Sequence, residues 1–166
     1  MAIIEHMHVG IDEVRRKLEE VKDPEIDTVS IVELGMVEAI EVKEGHVVVK
    51  ILPTFLGCPA LPIIQKNIEQ VLWSLRGVVS INVKFIHSPP WTSDRINDAG
   101  RKGLKKFGIA PPPRFEEDGS WHVDCPFCLS TYVTMENLFG PTACRSILYC
   151  KSCKNPFEAM KPVSTL

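Results

Sequence analysis

Four of the six cysteines form two Cys-x-x-Cys pairs near the end of the chain. The pairs are Cys125 with Cys128 and Cys150 with Cys153, and 21 residues separate them. Each pair can place two thiolates on one side of a tight turn, and two facing turns make the tetrahedral cage that Zn²⁺ takes in structural sites. The spacing therefore predicts a zinc ribbon with these four ligands, although iron fits the same four sulfurs.

A cage of four thiolates has no open position for water or substrate, so its role is structural rather than catalytic. Disulfide bonds are the alternative explanation for such pairs. The first ten residues include acidic and polar side chains and lack the apolar core of a signal peptide. Cysteine pairs of cytoplasmic proteins bind metal more often than they form structural disulfides. We therefore expect a cytoplasmic, metal-binding protein.

Cys58 is the second candidate for chemistry. It lies in the segment Pro-Thr-Phe-Leu-Gly-Cys-Pro at 53–59, where a predicted strand ends and a predicted helix begins. The dipole and free N–H groups of a helix N-terminus favour a thiolate, which both nucleophilic attack and metal ligation require. Gly57 allows close backbone approach. A small buried hydrophobe is the alternative, and the residue pattern leaves both readings open.

A nucleophilic Cys58 would need a base nearby. None of the candidates His46, His87 and His122 lies at a distance along the sequence from Cys58 that is typical of a catalytic motif. An iron–sulfur site needs about four ligands, whereas the N-terminal part of the chain offers one cysteine. A cluster at Cys58 would therefore be shared with another chain or a client, or be held transiently. Cys144 is unpaired, and the apolar residues beside it favour packing over exchange into the metal site.

The periodicity of apolar residues indicates which elements position these side chains. A helix beginning near Ile11 ends before an acidic turn at 23–27, and strands follow at 37–42 and 46–52. A second helix begins at Leu61, and a third strand spans 79–85 with alternating burial. The order α-β-β-α-β predicts a two-layer α+β domain over residues 1–88, with both helices on one face of a three-stranded sheet.

The rest of the chain is predicted to contain a connector and the ribbon. Residues 89–118 hold a third helix, capped by Thr92 or Ser93, and a proline-rich linker at 111–113. The small zinc ribbon takes residues 119–166. The net charge of -2 gives no general attraction to nucleic acid or to an anionic membrane, and no stretch approaches the length of a membrane span.

Several segments together resemble the metal–sulfur cluster assembly domain family. They are Asp-Pro-Glu at 23–25, Ser-Ile-Val-Glu-Leu-Gly-Met-Val at 30–37 and Thr-Phe-Leu-Gly-Cys-Pro at 54–59. The cysteine before proline is the proposed functional residue of that family, which implies a role for Cys58. Asp23, Glu25, Thr54 and Gly57 are then the loop residues that support it.

The later segments at 90–94, 108–112, 139–144 and 155–158 are similar to the PaaD type within this family, accessory proteins of phenylacetyl-CoA epoxidase. Leu129 stands where that type commonly has glycine. The resemblance implies a non-catalytic factor that passes iron or a transient iron–sulfur cluster to an oxygenase component, with structural zinc in the ribbon. Oxygenase components and a second copy of the chain are the implied partners. A structural bridging subunit and a nucleic-acid-binding ribbon are the alternatives.

Overall fold

The computed structural model describes residues 8–113 and 122–163. The predicted boundary at 118–119 and the first seven residues lie outside this range. The helices are α1 (Ile11–Leu18), α2 (Leu61–Leu72) and α3 (Asp98–Phe107). The strands are β1 (Lys22–Asp23), β2 (Ile26–Ser30), β3 (Val37–Lys43), β4 (His46–Ile51), β5 (Ser80–Phe85), β6 (Ile109–Ala110), β7 (Val133–Asn137), β8 (Arg145–Cys150) and β9 (Pro156–Met160).

The first five predicted elements form two layers, which confirms the α+β prediction. Strand β4 lies in the centre of a sheet, antiparallel to β3 and parallel to β5. Helix α1 packs on β3, α2 packs on β5, and the two helices contact each other. Val47, Val49 and Ile51 alternate along β4 and are fully or nearly fully buried. Each such side chain contributes about 1.5–3 kcal/mol on burial, so this face stabilises the fold.

The acidic turn at 23–27 lies within a small β-hairpin that the sequence pattern did not predict. Asp23 Oδ1 accepts hydrogen bonds from the backbone N–H groups of Glu25, at 2.8 Å, and Ile26, at 3.1 Å. This Asx-type turn connects β1 to the antiparallel strand β2. Ile26 and Val29 of β2 are buried. The hairpin holds Asp23 and Glu25 at a fixed place beside the sheet.

Helix α3 is present, but its predicted cap is wrong. Ser93 begins a short 3₁₀ turn, and Asn97 caps α3 by accepting a 2.8 Å hydrogen bond from the N–H of Gly100. The helix packs closely on β2, where the Thr28 hydroxyl donates to the carbonyl of Gly103 at 2.8 Å. A Cβ atom at Gly103 would lie 2.7 Å from the Thr28 carbonyl oxygen, so glycine permits this approach. Helix α3 is therefore packed against the N-terminal domain.

The ribbon forms a four-stranded sheet with the order β6-β9-β8-β7. Strand β6 directly follows α3 and pairs in parallel with β9. Met160 and Val163 pack into the main core of the N-terminal domain. The backbone N–H of Ser93 donates to the Val163 carbonyl at 2.9 Å, and Ser93 Oγ accepts from the N–H of Val163 at 3.2 Å. The ribbon is thus attached to the N-terminal domain at both of its ends.

Across the described ranges 8–113 and 122–163, no helix is both long enough and apolar enough to span a membrane.

Candidate functional site

The four cysteines of the two Cys-x-x-Cys pairs lie together in the ribbon. Their sulfur atoms all lie within 4.8 Å of one another. The distance is 3.7 Å between the sulfurs of Cys125 and Cys153 and 3.6 Å between those of Cys128 and Cys150. Four sulfurs each about 2.3 Å from Zn²⁺ have edges of about 3.8 Å. The arrangement therefore fits a tetrahedral zinc ion with little rearrangement.

The two turns that present these thiols share one backbone geometry. Leu129 donates its N–H to the carbonyl of Cys125 at 2.9 Å, and Lys154 does the same to Cys150 at the same distance. Both donors have left-handed backbones, with φ of 62° at Leu129 and 63° at Lys154. This conformation costs about 1–2 kcal/mol for a residue with a Cβ atom. The metal cage is thus built on two strained positions, Leu129 and Lys154.

The second turn favours the thiolate form that a metal needs. Hydrogen-bond donation from Asn155 lowers the pKa of the Cys153 thiol to about 6. Backbone N–H groups, first that of Cys153 and then that of Ser152, lower the pKa of Cys150. Metal ligation requires deprotonated sulfur, so this half of the cage is arranged to release its protons on binding.

Cys58 lies outside this cage, in a loop between β4 and α2. Its N–H donates to the Phe55 carbonyl at 3.4 Å, and its own carbonyl accepts from the N–H of Leu61, the first residue of α2. Gly57 has φ of 79°, and a Cβ atom there would meet nothing within 4 Å. Gly57 is thus required by the turn rather than by crowding, and it leaves an open face beside the half-buried Cys58 thiol.

The thiol of Cys58 is not activated, contrary to what its place before a helix indicated. Burial raises its pKa above the ordinary value, and the hydrogen bond from the Ala60 N–H only partly offsets this. The negative charges of Glu25 and Asp23 raise the pKa further. The helix N-terminus does act in the predicted direction, but desolvation and two carboxylates outweigh it.

A cavity of about 270 Å³ opens beside Cys58, and we call it the Cys58 pocket. Glu25, Thr54 and Phe55 line it from the N-terminal domain, and residues 141–144 line it from the ribbon. Asp23 does not line the cavity, although its charge acts on Cys58. Burial raises the pKa of Asp23 itself, against two backbone hydrogen bonds and the nearby Arg145 guanidinium.

Cys144 is the functional candidate whose place the sequence did not indicate. It lines the Cys58 pocket and stands apart from the four-cysteine cage. Cys58 and Cys144 come from two different parts of the chain, and no local spacing connects them. The sequence indicates only that Cys144 lies outside the two Cys-x-x-Cys pairs, which contain the other four cysteines of the ribbon.

The comparisons with known proteins support this two-part organisation. Residues 11–83 match the family described as Iron-sulfur cluster assembly protein, and residues 109–161 match the family described as PaaD zinc beta ribbon domain. An Escherichia coli protein that is provisionally named as one of the subunits of 1,2-phenylacetyl-CoA epoxidase is 32% identical over 154 residues. That match covers 91% of this chain and 92% of the relative. The chain belongs to the PaaD family.

Further relatives of this PaaD-family chain match part of it. The Fe-S protein maturation auxiliary factor YitW of Bacillus subtilis is 37% identical over 81 residues, which are 48% of this chain and 78% of that protein. A crystal structure of a domain of unknown function, DUF59, from Bacillus anthracis superposes with a TM-score of 0.53 at 29% identity. It covers 56% of this chain and 89% of that domain. An iron–sulfur assembly-type domain is therefore joined here to a PaaD zinc ribbon.

The three histidines considered as bases in this PaaD-family chain, His46, His87 and His122, do not line the Cys58 pocket. His46 Nδ1 is 2.6 Å from the Ser80 hydroxyl on the neighbouring strand. His87 lines a separate cavity with Trp91, and His122 lines another beside the proline-rich segment 111–113. None of these three lines the Cys58 pocket, so none is placed as a base for its thiol.

Proposed function

We propose that this protein is a non-catalytic maturation factor that uses Cys58 to hold iron or an iron–sulfur cluster and to pass it to an oxygenase component. The observation that carries the proposal is the half-buried Cys58 thiol in a cavity of about 270 Å³ that is also lined by the Glu25 carboxylate. A thiol beside carboxylates suits a cation that it binds as thiolate. The relatives named as Fe-S maturation factors support the same assignment.

The chemistry of the pocket favours carriage over catalysis. A nucleophilic cysteine needs a lowered pKa or an adjacent base, whereas burial and carboxylates raise the pKa of Cys58. No histidine lines the Cys58 pocket within the described part of the chain. The protonated thiol gives up its proton when a metal replaces it, so the pocket can hold a metal without being a strong nucleophile.

The surface around the pocket suits a protein client. Leu56 is 72% exposed next to the pocket-lining Phe55, and Phe139 is 75% exposed two residues before the pocket wall at Pro141. The ribbon also exposes Phe127, Leu129 and Tyr132. Exposed apolar side chains of this size mark docking surfaces rather than nucleic-acid contacts, which use basic residues. We propose that the client is a phenylacetyl-CoA epoxidase component, on the name of the Escherichia coli relative.

Anaerobic transfer of iron to a client tests this function. The wild-type chain, with zinc in the ribbon, is loaded with Fe²⁺ and mixed with the apo form of an iron-containing component of a phenylacetyl-CoA epoxidase. We expect Cys58→Ala to keep its fold and about one zinc per chain, while client loading falls to the level given by free Fe²⁺. Pro59→Ala, which changes the same loop without removing sulfur, should load the client normally. Normal loading by Cys58→Ala would overturn the proposal.

A bridging subunit is the second candidate, and the exposed apolar side chains of the ribbon are the observation that favours it. Such a subunit would form a stable stoichiometric complex with oxygenase components and would need no reactive cysteine. Size-exclusion chromatography of the mixture separates the two functions. A stable complex together with client iron content that is insensitive to Cys58→Ala would support the bridging role.

A further inference from the structure

The ribbon contributes one wall of the Cys58 pocket. The four residues of segment 141–144 line the cavity together with Glu25, Thr54 and Cys58. The two thiols of the pocket therefore come from different parts of the chain, Cys58 from the N-terminal domain and Cys144 from the ribbon. Both side chains are half-buried, so neither is a sealed core residue.

The position of Cys144 is fixed by several hydrogen bonds. Its carbonyl accepts from the backbone N–H of Lys161 at 2.9 Å. The Thr142 hydroxyl lies 3.3 Å from the Cys144 sulfur and accepts from Arg145 Nε at 2.9 Å. Since that oxygen accepts from the guanidinium, its own proton is available to the Cys144 sulfur. A negatively charged sulfur would retain this bond.

The charges around the pocket favour a cation over an anion. Glu25 lines the cavity, and the charges of Glu25 and Asp23 act on Cys58. The nearby cation, Arg145, is bound by Glu158, whose Oε2 lies 2.6 Å from Arg145 Nη1. The side chain of Arg145 is 8% exposed, so it is held in this pair rather than reaching into the pocket. The net character of the pocket is two thiols and a carboxylate.

We propose that Cys144 is the second thiolate ligand of this pocket and that Cys58 and Cys144 together bind Fe²⁺. This inference rests on the proposed function and specifies how the ribbon takes part in it. As iron binds, each thiol releases one proton to solvent and forms one Fe–S bond, and the iron remains ferrous. The other coordination positions are left for water or for ligands of the client.

In this arrangement the ribbon supplies a second sulfur ligand, because the N-terminal domain contains only one cysteine. One cysteine is too few to retain Fe²⁺, whereas two thiolates that line the same pocket can chelate it. The ribbon then completes the carrier site as well as offering a docking surface. A second copy of the chain is not needed to supply a second sulfur.

Anaerobic titration with Fe²⁺ alone tests the inference on the full chain with zinc already in the ribbon. Zinc is not displaced, because a given site binds Zn²⁺ more tightly than Fe²⁺. We expect Cys144→Ala and Cys58→Ala each to weaken Fe²⁺ binding by at least about tenfold, since loss of a ligand exceeds the loss of an outer-shell partner. Thr134→Ala changes the ribbon in strand β7, outside the pocket, without removing sulfur and should bind as the wild type does.

The pH dependence of binding gives a second readout that a merely structural role would not change. Below the thiol pKa, the logarithm of the Fe²⁺ affinity should rise with pH with a slope of about two in the wild type and about one in either single variant. Cys144→Ser keeps the size of the side chain, so it should retain the pocket and still show the reduced slope.

The outcomes separate this inference from the function on which it rests. If Cys58→Ala loses Fe²⁺ binding while Cys144→Ala and Cys144→Ser keep wild-type affinity and slope, the role of Cys144 is overturned and the proposed function stands. If Cys58→Ala binds Fe²⁺ as tightly as the wild type, or the wild type binds none, the inference fails, and the iron-carrying form of the proposed function fails with it.

Discussion

The two groups of cysteines in this protein are organised in opposite ways. In the ribbon, four sulfurs from two local turns lie within 4.8 Å of one another and already match a zinc tetrahedron. In the Cys58 pocket, two cysteines from distant parts of the chain line a cavity of about 270 Å³. Within the described residues, the ribbon cage is the one group of three or more metal-ligating side chains. A closed site retains its metal, whereas an incomplete one can give its metal away.

Protonation separates one turn of the cage from the Cys58 pocket. In the second turn, hydrogen-bond donors lower the pKa of Cys153 and Cys150, so these two thiols release their protons readily to a metal. In the first turn, desolvation and the neighbouring cage thiols raise the pKa of Cys128 to about 12. At Cys58, burial and acidic neighbours raise the pKa, so a cation there would have to displace a firmly held proton without low-pKa thiols beside it.

Removal of a cage ligand should have the largest effect. We expect Cys150→Ala to reduce zinc from about one per chain to near zero and to unfold the ribbon, because structural zinc contributes about 10 kcal/mol or more to folding. Hydrogen exchange followed by mass spectrometry should show lost protection in β7, β8 and β9 and retained protection in β3 and β4. Cys58→Ala is the matched control and should keep both zinc and protection. Zinc retention by Cys150→Ala would contradict the closed-cage description.

A smaller effect is expected when Glu25, the carboxylate that lines the pocket, is neutralised. The Glu25 carboxylate raises the pKa of Cys58, so Glu25→Gln lowers it and increases the thiolate fraction at a given pH. The rate of alkylation by iodoacetamide at pH 8 should therefore rise, because the thiolate is the reacting form. Mass spectrometry of the zinc-loaded protein reads the modification on the Cys58 peptide.

Two controls sharpen this measurement. Glu19→Gln removes a carboxylate that is not among the charges acting on Cys58, and it should leave the rate unchanged. The difference in rate between the wild type and Glu25→Gln should vanish at a pH well above the pKa of Cys58 in either protein, because Cys58 is then fully ionised in both. An unchanged rate at pH 8 would show that Glu25 does not restrain the thiol.

The smallest effect concerns the strained turns of the cage. Leu129 has a left-handed backbone, so Leu129→Gly should relieve strain and raise the free energy of unfolding of the ribbon by up to about 1 kcal/mol, after the entropy cost of glycine. Thermal unfolding of the zinc-loaded protein measures the change. Thr131→Gly, at a neighbouring position outside the left-handed region, should destabilise instead. Equal destabilisation by both substitutions would indicate that Leu129 is not strained.

The elements with strong local patterns could be predicted from the sequence. The apolar stripe of α2 predicts a helix beginning at Leu61, and the structure has it at Leu61–Leu72. The alternating strand predicted at 79–85 is observed at Ser80–Phe85. Strand β2 was missed because its five residues follow an acidic turn and include Asp27 and Thr28, which obscure the apolar alternation. The cap at Asn97 was missed because Thr92 and Ser93 are equally good caps by residue type.

The two candidate sites also differ in whether a local sequence pattern predicts them. The four cage cysteines come in two local pairs, so spacing along the chain indicates the cage. Cys58 and Cys144 line the same pocket only because the ribbon packs against the N-terminal domain, and no local sequence pattern encodes that packing. The raised pKa of Cys58 likewise depends on tertiary burial and on the β1–β2 hairpin that carries Asp23 and Glu25. Local geometry favoured the thiolate, and the surrounding fold reverses that preference.

The double attachment of the ribbon bears on how cargo would leave the pocket. Strand β6 continues directly from α3 at one end, and Val163 is hydrogen-bonded to Ser93 at the other. A ribbon held at both ends cannot move away from the domain without breaking the hydrogen bonds between Val163 and Ser93 and exposing Met160 and Val163. Departure by opening is therefore costly. On the proposed function, iron would instead leave by ligand exchange. Donor atoms of the client would enter beside Gly57 and replace one cysteine sulfur before the second Fe–S bond breaks.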